Sequence, residues 1–171
     1  MSRLHLLEYQ DIWPSQFQKV AVELLSVFVA NDVAVEHIGS TAVPGLCAKP
    51  VLDILVGVRN LREAEERQES LTSLGYTYRS EYEDQLPERR YFVRAEATTP
   101  RVHLHCVTRE GRLWNQHIAF RDMLREAPDV LAEYAALKRS LAVQYVENKH
   151  AYTEAKAPFI TRVLAAAHGA A

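Results

Sequence analysis

An α+β domain is the fold class that this sequence predicts. Short apolar segments at 33–38 and 51–58 bracket a Gly-Ser turn, a period of two runs through 76–107, and helical spacing takes over from about Trp114. At 171 residues the chain fits one domain, 1–171, since folding at this size buries roughly 70% of the surface of the unfolded chain.

The elements follow in order. Pro14 follows Trp13 and precedes Phe17, Val20, Ala21, Leu24, Leu25 and Phe28, whose spacing predicts a helix over roughly 15–30. Residues 33–38 are short, β-branched and stopped by Gly39, as a strand entering a tight turn should be. Residues 51–58 are almost continuously apolar, which implies burial on both faces apart from Asp53. A charged amphipathic segment, 61–74, then predicts a helix that stops at Gly75. Alternation at Tyr76 and Tyr78, at 90–94 and at 102–107 predicts three more strands. Between them, 80–89 reads as a loop near a site and 95–100 as a connection. The remainder is a helical C-terminal part punctuated by Pro128 and Pro158.

Composition narrows the classes of function. Hydrophobic residues at 48% and charged residues at 25% are ordinary for a globular protein, and a net charge of −2 gives no global field for nucleic acid or membranes. Nucleic acid and membrane are therefore not expected partners. With only Cys47 and Cys106, a four-thiolate zinc site is ruled out and a disulfide framework is not expected. Both read as reduced thiols. The N-terminal residues lack a signal-peptide apolar core and no run approaches a membrane span, so the expected location is cytoplasmic.

Asp53 is the first candidate for chemistry. It stands among Val51, Leu52, Ile54, Leu55 and Val56, where a carboxylate is costly to bury unless something charged pairs with it. Alternation puts Asp53 on one face of its strand and His103 with His105 on one face of another, while Leu104 turns to the core. One carboxylate and two imidazoles suit a divalent transition metal. The alternative is a solvated face or a hydrogen-bonded pair without metal. Fourteen residues before Asp53, the Gly39-Ser40 turn and Thr41 open a GSTAVPG loop whose amides and hydroxyls suit a phosphate. Lys49 before Pro50 either neutralises that phosphate or is a solvated residue held extended. Arg90 and Arg94 share one side of their strand, as two phosphate contacts would, although surface arginines are common. Tyr134 with Lys138 and Tyr152 with Lys156 repeat Tyr-x-x-x-Lys on helical faces, as do Arg121 and Arg125 one turn apart. Such pairs either cradle a base and phosphates or line the border of the core, and the border is the expectation for the tyrosines.

These residues resemble the GrpB family from end to end: Trp13-Pro14, EHIGSTAVPGLCAKPVLDILV from Glu36, LGY at 74–76, HLH at 103–105, FRDMLR at 120–125 and the Tyr-x-x-x-Lys repeats. The resemblance implies a nucleotidyltransferase-like fold, a small mixed β-sheet flanked by helices. That wider pattern has two acids spaced by one after the Gly-Ser turn and a third on a later strand. In this chain only Asp53 matches; Leu55 holds the second position, and His103 and His105 lie on the strand of the third. Two Mg2+ ions need hard oxygen ligands, so a one-metal variant is what remains, with the histidines or Glu36 replacing carboxylates. Glu36 equally suits an arginine partner. The family is also joined to dephospho-CoA kinase in some proteins, which associates it with coenzyme A metabolism.

The leading expectation is thus nucleotidyl transfer to an unidentified acceptor. Gly39, Ser40, Thr41, Lys49, Arg90, Arg94, Lys138 and Lys156 would bind the phosphates of a nucleotide or phosphorylated metabolite. Asp53, His103 and His105 would hold a divalent metal ion (Mg2+, Mn2+ or Zn2+), with Asp53 and Lys49 catalytic. A non-catalytic nucleotide-binding or accessory module is the alternative, which Leu55 favours. Metal-assisted hydrolysis of a phosphoester is a third reading.

Overall fold

Five strands form a single mixed sheet in the computed structural model, which describes residues 4–28, 33–95, 97 and 100–169. They are Ala34–Ile38 (β1), Val51–Val58 (β2), Tyr76–Tyr78 (β3), Arg89–Arg94 (β4) and Arg101–Thr108 (β5), in the spatial order β1-β2-β5-β4-β3. β2 and β5 run parallel at the centre and every other pair is antiparallel. The central register sets Asp53 beside His103 and Leu55 beside His105.

Seven helices accompany the sheet among the described residues: Trp13–Val27 (α1), Leu61–Glu66 (α2), Gln68–Ser73 (α3), Arg112–Glu126 (α4), Pro128–Gln144 (α5), Lys149–Ala155 (α6) and Ala157–Gly169 (α7). One sheet face carries Leu52, Ile54 and Val56 of β2 with Val102, Leu104 and Cys106 of β5, and it is closed by Phe17, Val20 and Leu24 of α1, Ala64 of α2 and Leu71 of α3. On the other face Leu55 and Val107 pack with Ile38 and Leu113, and Trp114 lies so close that a side chain at Gly57 would start 2.6 Å from its indole. Val43, Leu46 and Cys47 pack against Leu124, Tyr134, Ala135 and Phe159, tying the loop between β1 and β2 to the C-terminal helices. Asp53 and the two histidines therefore lie on the face that these helices only partly cover.

Two helical expectations change. The first helix starts at Trp13, with Pro14 in its opening turn, and ends where the Phe28 amide bonds the Leu24 carbonyl; residues 29 and 30 lie outside the described residues. The expected helix over 61–74 is two, because at Arg67 (φ −95°, ψ 4°) the amide reaches back only to Ala64, tightening the chain by one turn. Gly75 at φ 86° closes the second, the cap expected of it. The connection at 95–100 falls partly outside the described residues. Cys47 and Cys106 are both free and buried. No helix is long and apolar enough to cross a membrane among the described residues.

Candidate functional site

The turn after β1 depends on a missing side chain. Gly39 takes φ 70° and ψ −172°, a region essentially reserved for glycine, and a Cβ there would lie 2.6 Å from Asp53 Oδ2. Glycine thus lets the chain cross directly over the carboxylate. A short 3-10 turn, Ser40–Ala42, follows. Within it the buried Thr41 hydroxyl donates to the Val51 carbonyl at 3.0 Å, so at 3.0 Å from His37 Nε2 it accepts the imidazole N–H. His37 stacks on Phe17 with ring centres 4.8 Å apart, and burial lowers its pKa to about 4, so it stays neutral. The Thr41 hydroxyl is thereby occupied. That of Ser40 has no hydrogen-bond partner among the described residues.

Asp53 is held by two matching relays. Its Oδ1 lies 3.5 Å from His103 Nδ1 and 3.3 Å from His105 Nε2. The far nitrogen of each ring faces an arginine: Arg101 Nε is 3.3 Å from His103 Nε2, and Arg89 Nη1 is 3.3 Å from His105 Nδ1. A guanidinium only donates, so each imidazole accepts from its arginine and donates its one N–H to Asp53. Burial raises the Asp53 pKa, but the hydrogen bonds from His103 and His105 outweigh it and hold the carboxyl below the usual range. Burial and the Arg89 charge lower the pKa of His105 against the pull of Asp53, consistent with a neutral ring.

This arrangement does not fit a metal centre at Asp53, His103 and His105. A ligating imidazole must turn a lone pair to the ion. Here both lone pairs meet guanidinium groups and both N–H groups meet Asp53. Nor does any group of three His, Cys, Asp or Glu among the described residues stand placed to hold a metal ion. Glu36 is taken as well, bonded at 2.6 Å by Arg121, which also reaches the His37 carbonyl.

Beside Asp53 opens a hollow of about 220 Å³, lined by Ser40, Thr41, Ala48, Lys49, Val51, Asp53, His103, Lys138, Tyr152, Thr153 and Lys156. Its three lysines come from three places. Lys49 precedes β2 just after Ala48, which pairs with Leu7 through two backbone hydrogen bonds. Lys138 on α5 is 2% exposed and donates to the Cys47 carbonyl. Lys156 joins α6 to α7, and α6 is started by the Asn148 side chain accepting from the Ala151 amide. The ammonium groups of Lys49 and Lys156 each lie 4.6 Å from the centre of the Tyr152 ring. No carboxylate comes within ion-pairing distance of these three lysines among the described residues, although most arginines of the chain have one. Burial, reinforced by Lys156, lowers the pKa of Lys49 to about 8, and burial lowers that of Lys138 to about 7 and also depresses that of Lys156.

The structure thus brings together Ser40, Thr41, Lys49, Asp53, His103, Lys138 and Lys156, with Gly39 above Asp53 and His105 beside it. Arg90 and Arg94 are a correction. They share their face with Phe92, whose register partner Leu104 belongs to the opposite core, and there they bond Glu65 and Glu23. They point away from the hollow. Sequence reasoning missed Arg89, Arg101 and Thr153, and it assigned Tyr152 to the core border; that ring is 1% exposed and also lines the hollow. Tyr134, stacked on Phe159 at 4.9 Å, is the core residue expected.

A five-stranded α+β domain with a lysine-lined hollow over a histidine-clamped aspartate is the class of protein these features define. Residues 3–166 match the family model described as GrpB protein, and the chain belongs to that family. It is 36% identical over 164 residues to the glutamate-rich protein GrpB of Alkalihalophilus pseudofirmus, covering 93% of this chain and 92% of that one. The crystal structure of conserved protein GrpB from Enterococcus faecalis superposes with a TM-score of 0.85 at 34% identity, covering 95% of this chain and 96% of that one. A dephospho-CoA kinase of Mycolicibacterium paratuberculosis is 29% identical over 86% of this chain and 42% of its own. The Cid1 poly(U) polymerase gives a TM-score of 0.49 at 12% identity over 86% of this chain and 49% of that one, too distant to bear on function.

Proposed function

We propose that this chain is a binding module for a phosphorylated small molecule, a nucleotide or phosphometabolite. Its phosphate sits among Lys49, Lys138 and Lys156, with the Ser40 hydroxyl as a further donor. One observation carries the reading: three ammonium groups from separate elements meet at one hollow with no carboxylate within ion-pairing distance among the described residues. Burying unpaired cations is costly, and a ligand anion supplies the missing charge. The hollow is smaller than the roughly 300–1,000 Å³ of drug-sized ligand pockets, so it suits a phosphate and its nearest atoms, with the rest of the ligand outside. The relative that is a dephospho-CoA kinase puts dephospho-CoA and coenzyme A among the first compounds to test.

Nucleotidyl transfer is the second reading, favoured by the ionised Asp53 at the wall of the hollow. It assigns Asp53 to orient the acceptor and Lys49 to stabilise developing charge as the acceptor oxygen bonds the phosphorus, pyrophosphate leaves and the acceptor's proton passes to solvent. With water as acceptor the same groups would hydrolyse a phosphoester.

Calorimetric titration with AMP, ATP, dephospho-CoA, coenzyme A and adenosine, with and without Mg2+, tests the binding module. At least one phosphorylated compound should bind, adenosine should not, and Lys138→Met should abolish binding. Equal binding of adenosine and AMP, or no binding by any phosphorylated compound, defeats it. Release of pyrophosphate from ATP in the presence of an acceptor would move the balance to the second reading.

A further inference from the structure

We infer that the hollow is matched to a terminal phosphomonoester dianion and discriminates against an internal phosphodiester; this deepens, and rests on, the binding module proposed above. Charge is the first argument. The lining carries three ammonium groups and one carboxylate, an excess of two positive charges when all are ionised, and the lining imidazole of His103 is engaged by Arg101 on one nitrogen and Asp53 on the other. A phosphomonoester, with a second pKa near 6, carries close to two negative charges at pH 7. A diester carries one and would leave one cation uncompensated, with Lys138 only 2% exposed.

Donor number is the second argument. A monoester offers three unesterified oxygens, and Lys49, Lys138 and Lys156 approach from the segment before β2, from α5 and from the α6–α7 junction. Around an oxygen bearing a second substituent, one of these ammonium groups would lose its charge-assisted bond. The walls are the third argument. Tyr152 already carries Lys49 and Lys156 at 4.6 Å from its ring centre, so it is not free to stack a base inside the hollow. A monoester has one organic substituent to accommodate beside these walls, and a diester has two.

Methyl phosphate and dimethyl phosphate isolate these differences, being alike in size and free of a base. Each is titrated at pH 7 into the full chain labelled with nitrogen-15, together with inorganic phosphate, and amide shifts report affinity. Methyl phosphate should bind at least roughly tenfold more tightly than dimethyl phosphate, one charge-assisted bond being of that order. Lys156→Gln reduces the excess charge to one and should bring the two within about threefold of each other. Comparable binding of both esters by the wild type, or undiminished discrimination in Lys156→Gln, overturns the inference while the binding module stands. No shift with inorganic phosphate or methyl phosphate defeats the module itself.

Discussion

Lys138→Met should make the unliganded protein more stable while destroying its affinity for phosphate. Burial lowers the Lys138 pKa from 10.5 to about 7. At 1.36 kcal/mol per unit, that shift is a folding penalty of roughly 4–5 kcal/mol for carrying the charge near pH 7. Methionine keeps most of the volume and drops the charge. Against this gain, the Cys47 carbonyl loses its donor, costing about 1–3 kcal/mol, and the contact with the Tyr134 ring at 5.6 Å disappears, costing about 0.5–1 kcal/mol. The net expectation is a stabilisation of about 1–2 kcal/mol, read by urea unfolding at pH 7. Between the folded and unfolded pKa values the unfolded chain binds more protons, so the penalty is complete below about pH 7 and is relieved as pH rises toward 10.5. At pH 9 the advantage of the variant should therefore have shrunk by about 2 kcal/mol. A variant less stable than wild type by more than about 1 kcal/mol at pH 7, with phosphate affinity intact, would make Lys138 a structural residue and refute the reasoning.

Inorganic phosphate should bind progressively more weakly as pH rises from about 7 to about 9, because the protonated lysines bind it and the Lys138 and Lys49 pKa values are lowered to about 7 and about 8, with Lys156 and Lys149 pressing down on Lys49 and Asp53 opposing them. Phosphorus-31 line broadening measures it, and an affinity constant up to pH 10 would place the anion elsewhere. Gly39→Ala should cost roughly 2–4 kcal/mol in chemical denaturation, adding contact with Asp53 Oδ2 to the strain of a non-glycine residue at that backbone angle; a change below about 0.5 kcal/mol would show that the turn yields easily. Asp53→Asn keeps an acceptor for the imidazoles but removes the one negative charge of the lining, so phosphate affinity should rise several-fold. A fall measured by the same titration would mean that Asp53 acts on the ligand directly.

Much of the site was legible because it violates the ordinary patterns of a sequence. A carboxylate in an apolar strand and a His-x-His alternation each mark one face, and the structure brings those faces together through the parallel register of β2 and β5. That register could not be read from the chain, since strand order is decided by packing across residues far apart. Arg90 and Arg94 show the same gap: a period of two tells which residues share a face but not which face it is, and their shared side with Phe92 was the available sign that they border the core. The metal expectation meets a finer obstacle. Ligand-type residues do converge, yet the tautomer of each imidazole is chosen by Arg89 and Arg101, for which spacing carries no signal. The two Tyr-x-x-x-Lys repeats look alike in sequence, but packing sends Tyr134 inward among Phe120 and Phe159 and sets Tyr152 beneath two ammonium groups.

Since its cations are drawn from the segment before β2, from α5 and from the α6–α7 junction, an anion lodged between them acts as a clasp across the chain. Occupancy at a hundred times the dissociation constant contributes about 2.7 kcal/mol to the folded state. That increment falls on the seam between the sheet and the last helices. Amide hydrogen exchange in α6 and α7 should therefore slow on saturation with phosphate, making the docking of the C-terminal third a gauge of how full the hollow is.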